Sequence, residues 1–225
     1  MIPTPDLSHL KKEDYEHVYE PAEDTFILLD ALEEDAEALR ALKPSVCLEI
    51  GQALSGSGCV SAFLGSILGP STTLYLCTDI NTRASQCTYR TGVQNRVPLE
   101  PLLSSLAGPL RQRLERRVDV LMFNPPYVPT YDEEMSGAQD DAGIAGAWAG
   151  GTDGMRVTDV LLDQIDSLLS PNGRFYLVAV KENDVPGIQK RMQDQHGLYS
   201  EIVLHRHAGR EHLYVVRFTR HPIHS

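Results

Sequence analysis

Val118-Asp119-Val120-Leu121-Met122-Phe123-Asn124-Pro125-Pro126-Tyr127 is an apolar run that ends in a stiff polar loop. A run this short and this apolar reads as a buried strand. Open α/β sheets place their ligand sites at the carboxyl ends of such strands. Asn-Pro-Pro is also ordinary turn chemistry, so the tetrapeptide alone suits a plain strand end equally well. What tips the reading is the chemistry of the four residues together. An amide or exocyclic amino nitrogen has its lone pair drawn into a π system, and it attacks a carbon electrophile only when acceptors on its N–H groups favour a more tetrahedral nitrogen. The Asn124 side-chain oxygen and the Pro125 carbonyl are two such acceptors. Pro125 and Pro126 stiffen the backbone, and Tyr127 offers a face for a flat group.

Outward from this strand the chain alternates helix and strand. Tyr19-Glu20-Pro21-Ala22-Glu23-Asp24-Thr25 leads into a helix that runs to about Leu42 and stops at Lys43-Pro44. Val46–Ile50 reads as a strand, followed by a Gly/Ser loop and a helix from Val60 to Leu68. Leu74–Asp79 is the next strand, and Thr82–Asn95 the next helix. Val97–Leu103 contains Pro98 and Pro101, which lack donors, and so belongs at a sheet edge. Beyond the motif come a helix over Met155–Leu169 and strands over Arg174–Val180, Glu201–His205 and His212–Phe218. This order predicts one α/β domain over residues 1–225, with a lead-in over 1–44 and a Rossmann-like core over 45–225. Its sheet is mostly parallel, ends in an antiparallel pair, and is covered on both faces.

Composition narrows the function. A net charge of −11 disfavours a protein that grips nucleic acid unaided, so no stable direct nucleic-acid binding is expected. The acidic stretch Asp132, Glu133, Glu134, Asp140 and Asp141 just after the motif would repel phosphate and suit a basic protein surface. No stretch approaches the ~20 apolar residues of a membrane span, which predicts no membrane association and a cytoplasmic location, the nucleus remaining open. Cys47, Cys59, Cys77 and Cys87 form no C-x-x-C pair and read as reduced core residues. His205, His207 and His212 read as strand-surface residues, and no metal site is expected.

A cofactor is indicated between the first two strands. Gly51, Gly56 and Gly58 lie between a strand and a helix, where glycine permits close backbone approach to a ligand. Asp79, ending the second strand, suits two ribose hydroxyls, and Glu49 suits a cationic end. A nicotinamide cofactor would leave the Asn-Pro-Pro-Tyr motif idle, whereas S-adenosylmethionine accounts for both features.

Taken together, Tyr19 to Thr25, Cys47-Leu48-Glu49-Ile50-Gly51, Cys77-Thr78-Asp79-Ile80-Asn81, Phe123 to Val128, Ala147-Trp148-Ala149-Gly150-Gly151 and Lys181-Glu182-Asn183 resemble the HemK-type glutamine methyltransferases. The resemblance is to the short eukaryotic and archaeal branch that modifies the class I translation termination factor. It implies a seven-stranded class I methyltransferase fold, S-adenosylmethionine as donor, and the glutamine of the factor's Gly-Gly-Gln tripeptide as acceptor. It also implies a heterodimer with a small zinc-binding activator paired along the edge strand. Two departures stand out: Gln52-Ala53-Leu54 lengthens the loop after Gly51, and Ser105-Leu106 occupies the place where the family has an acidic residue and Leu to receive the adenine amino group.

The expected donor site is therefore Thr25, Glu49, Gly51, Gly56, Gly58, Asp79, Ser105, Leu106 and Asn124, with Thr25 closing over the methionine end. Asn124, Pro125, Pro126 and Tyr127 form the catalytic motif. Asn124, Pro125 and Tyr127 hold the acceptor amide. Two rivals share these features. An adenine-N6 methyltransferase would use the same motif but calls for a basic groove, and a catalytically impaired protein of this fold would follow from the longer loop and Ser105.

Overall fold

The computed structural model describes residues 1–51, 56–126, 155–209 and 211–222. Its helices are α1 (Glu23–Glu34), α2 (Ala36–Leu42), α3 (Cys59–Leu68), α4 (Thr82–Asn95), α5 (Arg156–Leu168) and α6 (Val185–His196). Its strands are β1 (Val46–Ile50), β2 (Leu74–Asp79), β3 (Leu99–Leu103), β4 (Val118–Phe123), β5 (Leu169–Val180), β6 (Tyr199–Ala208) and β7 (Glu211–Thr219). They form one sheet in the order β3-β2-β1-β4-β5-β7-β6. The pairs from β3 through β5 are parallel, and β7 runs antiparallel to both β5 and β6. The expected architecture is therefore present, with β3 at one edge.

Strand order reverses between β1 and β4, since the chain moves outward from β1 to β2 and β3 and then returns to the other side of β1. The carboxyl ends of β1 and β4 thus flank the crevice in which such sheets bind ligands. Alternation sorts the strands' side chains between two cores. Cys47, Tyr75, Cys77, Val120 and Met122 pack with α1, α2 and α3 on one face. Leu48, Ile50, Leu121, Phe123 and Phe175 pack with α5 and α6 on the other. The four cysteines are free and buried.

Three expectations need correction. The helix read as continuous to Leu42 breaks at Asp35, whose carboxylate accepts from the Tyr176 hydroxyl at 2.5 Å and from the Arg217 guanidinium. Arg174 stands 3.6 Å away. Turning this carboxylate toward β5 and β7 is worth more than continuing the helix. Strand β5 starts at Leu169 rather than Arg174, and the Ser170-Pro171-Asn172-Gly173 stretch forms an irregularity in its pairing with β4. Helix α6 was not anticipated. It starts at Asp184, whose side chain accepts from the Gly187 N–H, carries Pro186 in its first turn, and ends at Gly197 in the left-handed region.

Arg217 is buried and the Asp35 side chain is only 12% exposed, so removing one partner leaves the other charge poorly compensated. Asp35→Ala should lower unfolding free energy by about 3–5 kcal/mol, read from urea denaturation. A loss below about 1 kcal/mol would mean that the network is replaceable by water.

Candidate active site

Glu49, Asp79 and Asn124 end or follow β1, β2 and β4, three neighbouring strands, and all three are buried. By alternation they share the face covered by α1 and α3. The centre of the arrangement is Asn124. Its Nδ2 donates to Asp24 Oδ2 at 2.9 Å, a contact between residues one hundred positions apart. Asp24 is fixed in turn by the Thr25 N–H at 2.7 Å, the Tyr19 hydroxyl at 3.3 Å and the Thr25 hydroxyl at 3.4 Å, all on Oδ1. Burial and the Asp24 charge raise the Tyr19 pKa, keeping this phenol a donor. A carboxylate only accepts, so it sets which way the Asn124 amide faces. Oδ1 of Asn124 is left buried with no hydrogen-bond partner among the described residues.

Asp24 was not singled out from sequence. It was visible within Tyr19 to Thr25, but its partner lies too far along the chain for spacing to reveal. Thr25, expected to close over a ligand, sits in the first turn of α1 and directs both its N–H and its hydroxyl toward Asp24. Pro125 and Pro126 are buried beside Asn124. Tyr127 and the Gln52-Ala53-Leu54 insertion lie outside the described residues.

Glu49 accepts from the Ser61 N–H at 2.9 Å and from the Ser61 hydroxyl, tying β1 to the first turn of α3. Its other oxygen has no hydrogen-bond partner among the described residues. Burial, with a smaller contribution from Asp79, pushes its carboxyl up to about 7 against the lowering effect of Ser61. Asp79 accepts from the Asn81 N–H at 2.8 Å, while Asn81 caps α4 by accepting from the Arg83 N–H at 2.9 Å. Gly51 donates its N–H to the Thr78 carbonyl at 2.6 Å, closing the turn beside β2. Gly58 has a φ of +70°, and a Cβ there would meet the Thr88 backbone at 3.0 Å. A Cβ on Gly56 would stand 2.4 Å from that of Ala84. These two glycines are therefore required by the close approach of α4, in addition to any ligand. Leu106 has a φ of +49° and is buried, whereas Ser105 is exposed. The Ser104 N–H, bonded to the Asp79 carbonyl at 2.8 Å, brings this turn to the end of β2.

The site thus offers unmet buried oxygens on Glu49 and Asn124, with the Asp79 carboxylate beside them. Among the described residues, buried acceptors of this kind fit a ligand with hydroxyl donors and a positive centre.

The chain is 48% identical to methyltransferase HEMK2 of Mus musculus, spanning 97% of each protein. It is 42% identical to the eRF1 methyltransferase catalytic subunit mtq2 of Schizosaccharomyces pombe, spanning 98% of this chain and 96% of that one. The chain belongs to the HemK-type methyltransferase family. No protein-family model matches it. Among solved structures, it superimposes on Mtq2 in the E. cuniculi Mtq2–Trm112 complex with a TM-score of 0.63 and 26% identity, over 91% of this chain and 99% of that one. The T. thermophilus 16S rRNA N2 G1207 methyltransferase, solved with AdoMet and guanosine, matches at a TM-score of 0.60 and 16% identity over 90% of this chain and 44% of that one, a likeness of fold. As a member of this family the chain is a methyltransferase.

The raised carboxyl of Glu49 gives a test of the unliganded site. A folded-state pKa above the unfolded value stabilises the protein below about pH 4.5, and that stabilisation is lost as pH rises through about 7. Glu49→Gln abolishes this titration. The variant should gain on the parent between about pH 4.5 and 7 by up to roughly 3 kcal/mol, with no further change above. A difference in thermal stability that stays constant across this window would show that Glu49 is already ionised when folded.

Proposed function

We propose that the chain transfers a methyl group from S-adenosylmethionine to the side-chain amide nitrogen of the glutamine in the Gly-Gly-Gln motif of the class I translation termination factor. The observation that carries this reading is the Asn124 amide, fixed by Asp24 with its oxygen buried and without a hydrogen-bond partner among the described residues. When bound, S-adenosylmethionine supplies an electrophilic methyl group on a positively charged sulfur. Glu49, Gly51, Gly56, Gly58, Asp79 and the Ser105-Leu106 turn would hold the donor, Glu49 and Asp79 contributing the acceptors that its cation and hydroxyls require. The described residues fit this ligand by the chemistry of those acceptors.

Asn124 Oδ1 and the Pro125 carbonyl each accept one N–H of the acceptor amide, aiming its nitrogen at the crevice. Buried prolines keep the carbonyl from drifting, and Tyr127, which lies outside the described residues, would by its residue type offer an aromatic face to the amide. No strong base is needed, because a nitrogen that has formed its new bond releases a proton readily to water. Glu211 lies near both Asp24 and Glu182. Burial, followed by the charges of Asp24 and Glu182, raises the Glu211 carboxyl. This acidic rim suits a basic protein segment and repels a phosphate backbone. Toward the C-terminus, three arginines are engaged in ion pairs: Arg206 with Glu23 and Asp30, Arg217 with Asp35 and Glu201, and Arg220 with Asp166.

The same reading includes a small zinc-binding activator on the β3 edge. There Leu103 on β3 and Tyr89 and Val93 on α4 are 63%, 60% and 64% exposed, apolar side chains near a strand whose outer edge is unpaired among the described residues. The relatives support this assembly, since the E. cuniculi protein was solved with Trm112 in a complex that methylates eRF1. No described helix is long and apolar enough to cross a membrane. Cytoplasmic and nuclear work both suit this substrate.

Mass spectrometry of the termination factor, after incubation with the chain, the activator and the donor, should find one methyl group on the glutamine amide. An unmodified glutamine, with methylation of adenine in DNA or RNA instead, would overturn the reading. Asn124→Ala should reduce kcat by about 10²-fold or more. Asp24→Ala, which frees the Asn124 amide to turn over, should lower kcat by roughly ten- to a hundredfold while donor affinity changes little. An Asp24→Ala enzyme with normal kcat would show that the amide needs no external orientation.

A further inference from the structure

Strands β6 and β7 place three imidazoles on one side of their hairpin. His205 and His207 are two residues apart on β6 and so project from the same face. His212 on β7 is paired directly with His207, and His205 is paired with Tyr214. Each ring offers a nitrogen, and the three ligand atoms all lie within 4.8 Å of one another. The His207 and His212 rings approach to 3.9 Å between centroids, and His205 stacks on Tyr214 at 4.4 Å and 11°. Sequence spacing did not suggest a site because the third member is supplied by strand register.

We propose that His205, His207 and His212 form a binding site for a divalent transition-metal ion of the zinc, nickel or copper class. Two imidazole nitrogens on a tetrahedral ion, each at about 2.0–2.1 Å, stand roughly 3.4 Å apart. The ligand atoms already lie within 4.8 Å of one another, so side-chain rotation is what closes the triangle to that spacing, and the exposed His207 ring has room to turn. Imidazole suits these metals, while magnesium and calcium prefer oxygen. Three protein ligands leave a fourth position for water or an outside ligand. Ligation requires neutral rings, so binding should weaken as the pH falls through the ordinary histidine range. Stacking on Tyr214 restrains His205, which reduces the ordering cost of binding. The ion would staple the edge strand β6 to β7, at the end of the hairpin where Glu211 approaches Asp24. The site is separate from the methyl-transfer residues and does not depend on the reading of their substrate.

The test uses the full chain without a histidine tag, freed of metal by a chelator and then titrated with zinc by calorimetry and with cobalt by visible absorption. One ion per chain should bind with a dissociation constant on the order of micromolar or below. His205→Ala and His207→Ala, both at exposed positions, should each weaken binding by at least about tenfold, because even loss of an outer partner costs that much at metal sites. His221→Ala, outside the cluster, should leave it unchanged. Zinc should raise the melting temperature of the parent and not of the His207→Ala variant. Binding no tighter than about millimolar, or equal binding by the parent and both cluster variants, would overturn the proposal.

Discussion

The hydrogen bond from the Asn124 amide to Asp24 is the constraint on which the rest of the site depends. A primary amide at a strand end has two orientations of nearly equal shape and opposite chemistry, one presenting an acceptor and the other a donor. Asp24 removes the second by accepting from Nδ2, and a donor-facing amide would place two oxygens against each other in a buried space. Asp24 itself lies in the first turn of α1, where the helix dipole favours a carboxylate. On the proposed reading, the first helix of the chain is therefore part of the site.

That dependence explains why α1 is tied down so firmly. Its far end terminates at Asp35, which binds Arg217 and Tyr176 across the sheet. Its outer face exchanges ion pairs with Arg206 through Glu23 and Asp30. Ile27, Leu28, Ala31 and Leu32 are buried against the core it shares with α3. A shift of α1 by a fraction of an ångström would move Asp24 relative to Asn124, and hydrogen bonds weaken steeply with such displacement. The unmet oxygens of Glu49 and Asn124 are the counterpart of this rigidity. They carry a desolvation cost that a hydrophobic residue would avoid, and their retention marks the crevice as a place where a ligand completes the polar network.

Much of the sheet was legible in the sequence because apolar runs are bounded by Gly, Pro and Asn. β1, β2, α4 and β4 fall where those signals place them. Proline likewise marks β3 as an edge. Helix α6 escaped notice because only Val185, Ile188 and Met192 are buried in an otherwise polar segment, so its periodicity is faint. Its cap, Asp184, and its stop, Gly197, were the usable signals. The break at Asp35, the role of Asp24 and the meeting of three histidines share another cause. Each arises from contact between distant segments, and local spacing holds no record of it. Tyr127 and the Gln52-Ala53-Leu54 insertion fall outside the described residues.

The two edges of the sheet are treated in opposite ways, and the contrast has a physical basis. β6 is an exposed outer strand, yet its long side chains are engaged: Arg206 reaches α1, Glu201 pairs with Arg217, and the histidines crowd one face. Charge and bulk of this kind discourage another strand from adding to it. β3 carries few such guards. Pro98 and Pro101 remove donors from the strand and its approach, which limits self-association, while Leu103 and the neighbouring Tyr89 and Val93 leave apolar surface in water. An edge shielded against its own copy but still apolar is suited to a different chain that tolerates the missing donors and covers those side chains. β2 and the Asp79 end of the crevice lie directly behind β3. A chain seated on this edge would therefore also hold in place the strand that carries one of the site's carboxylates.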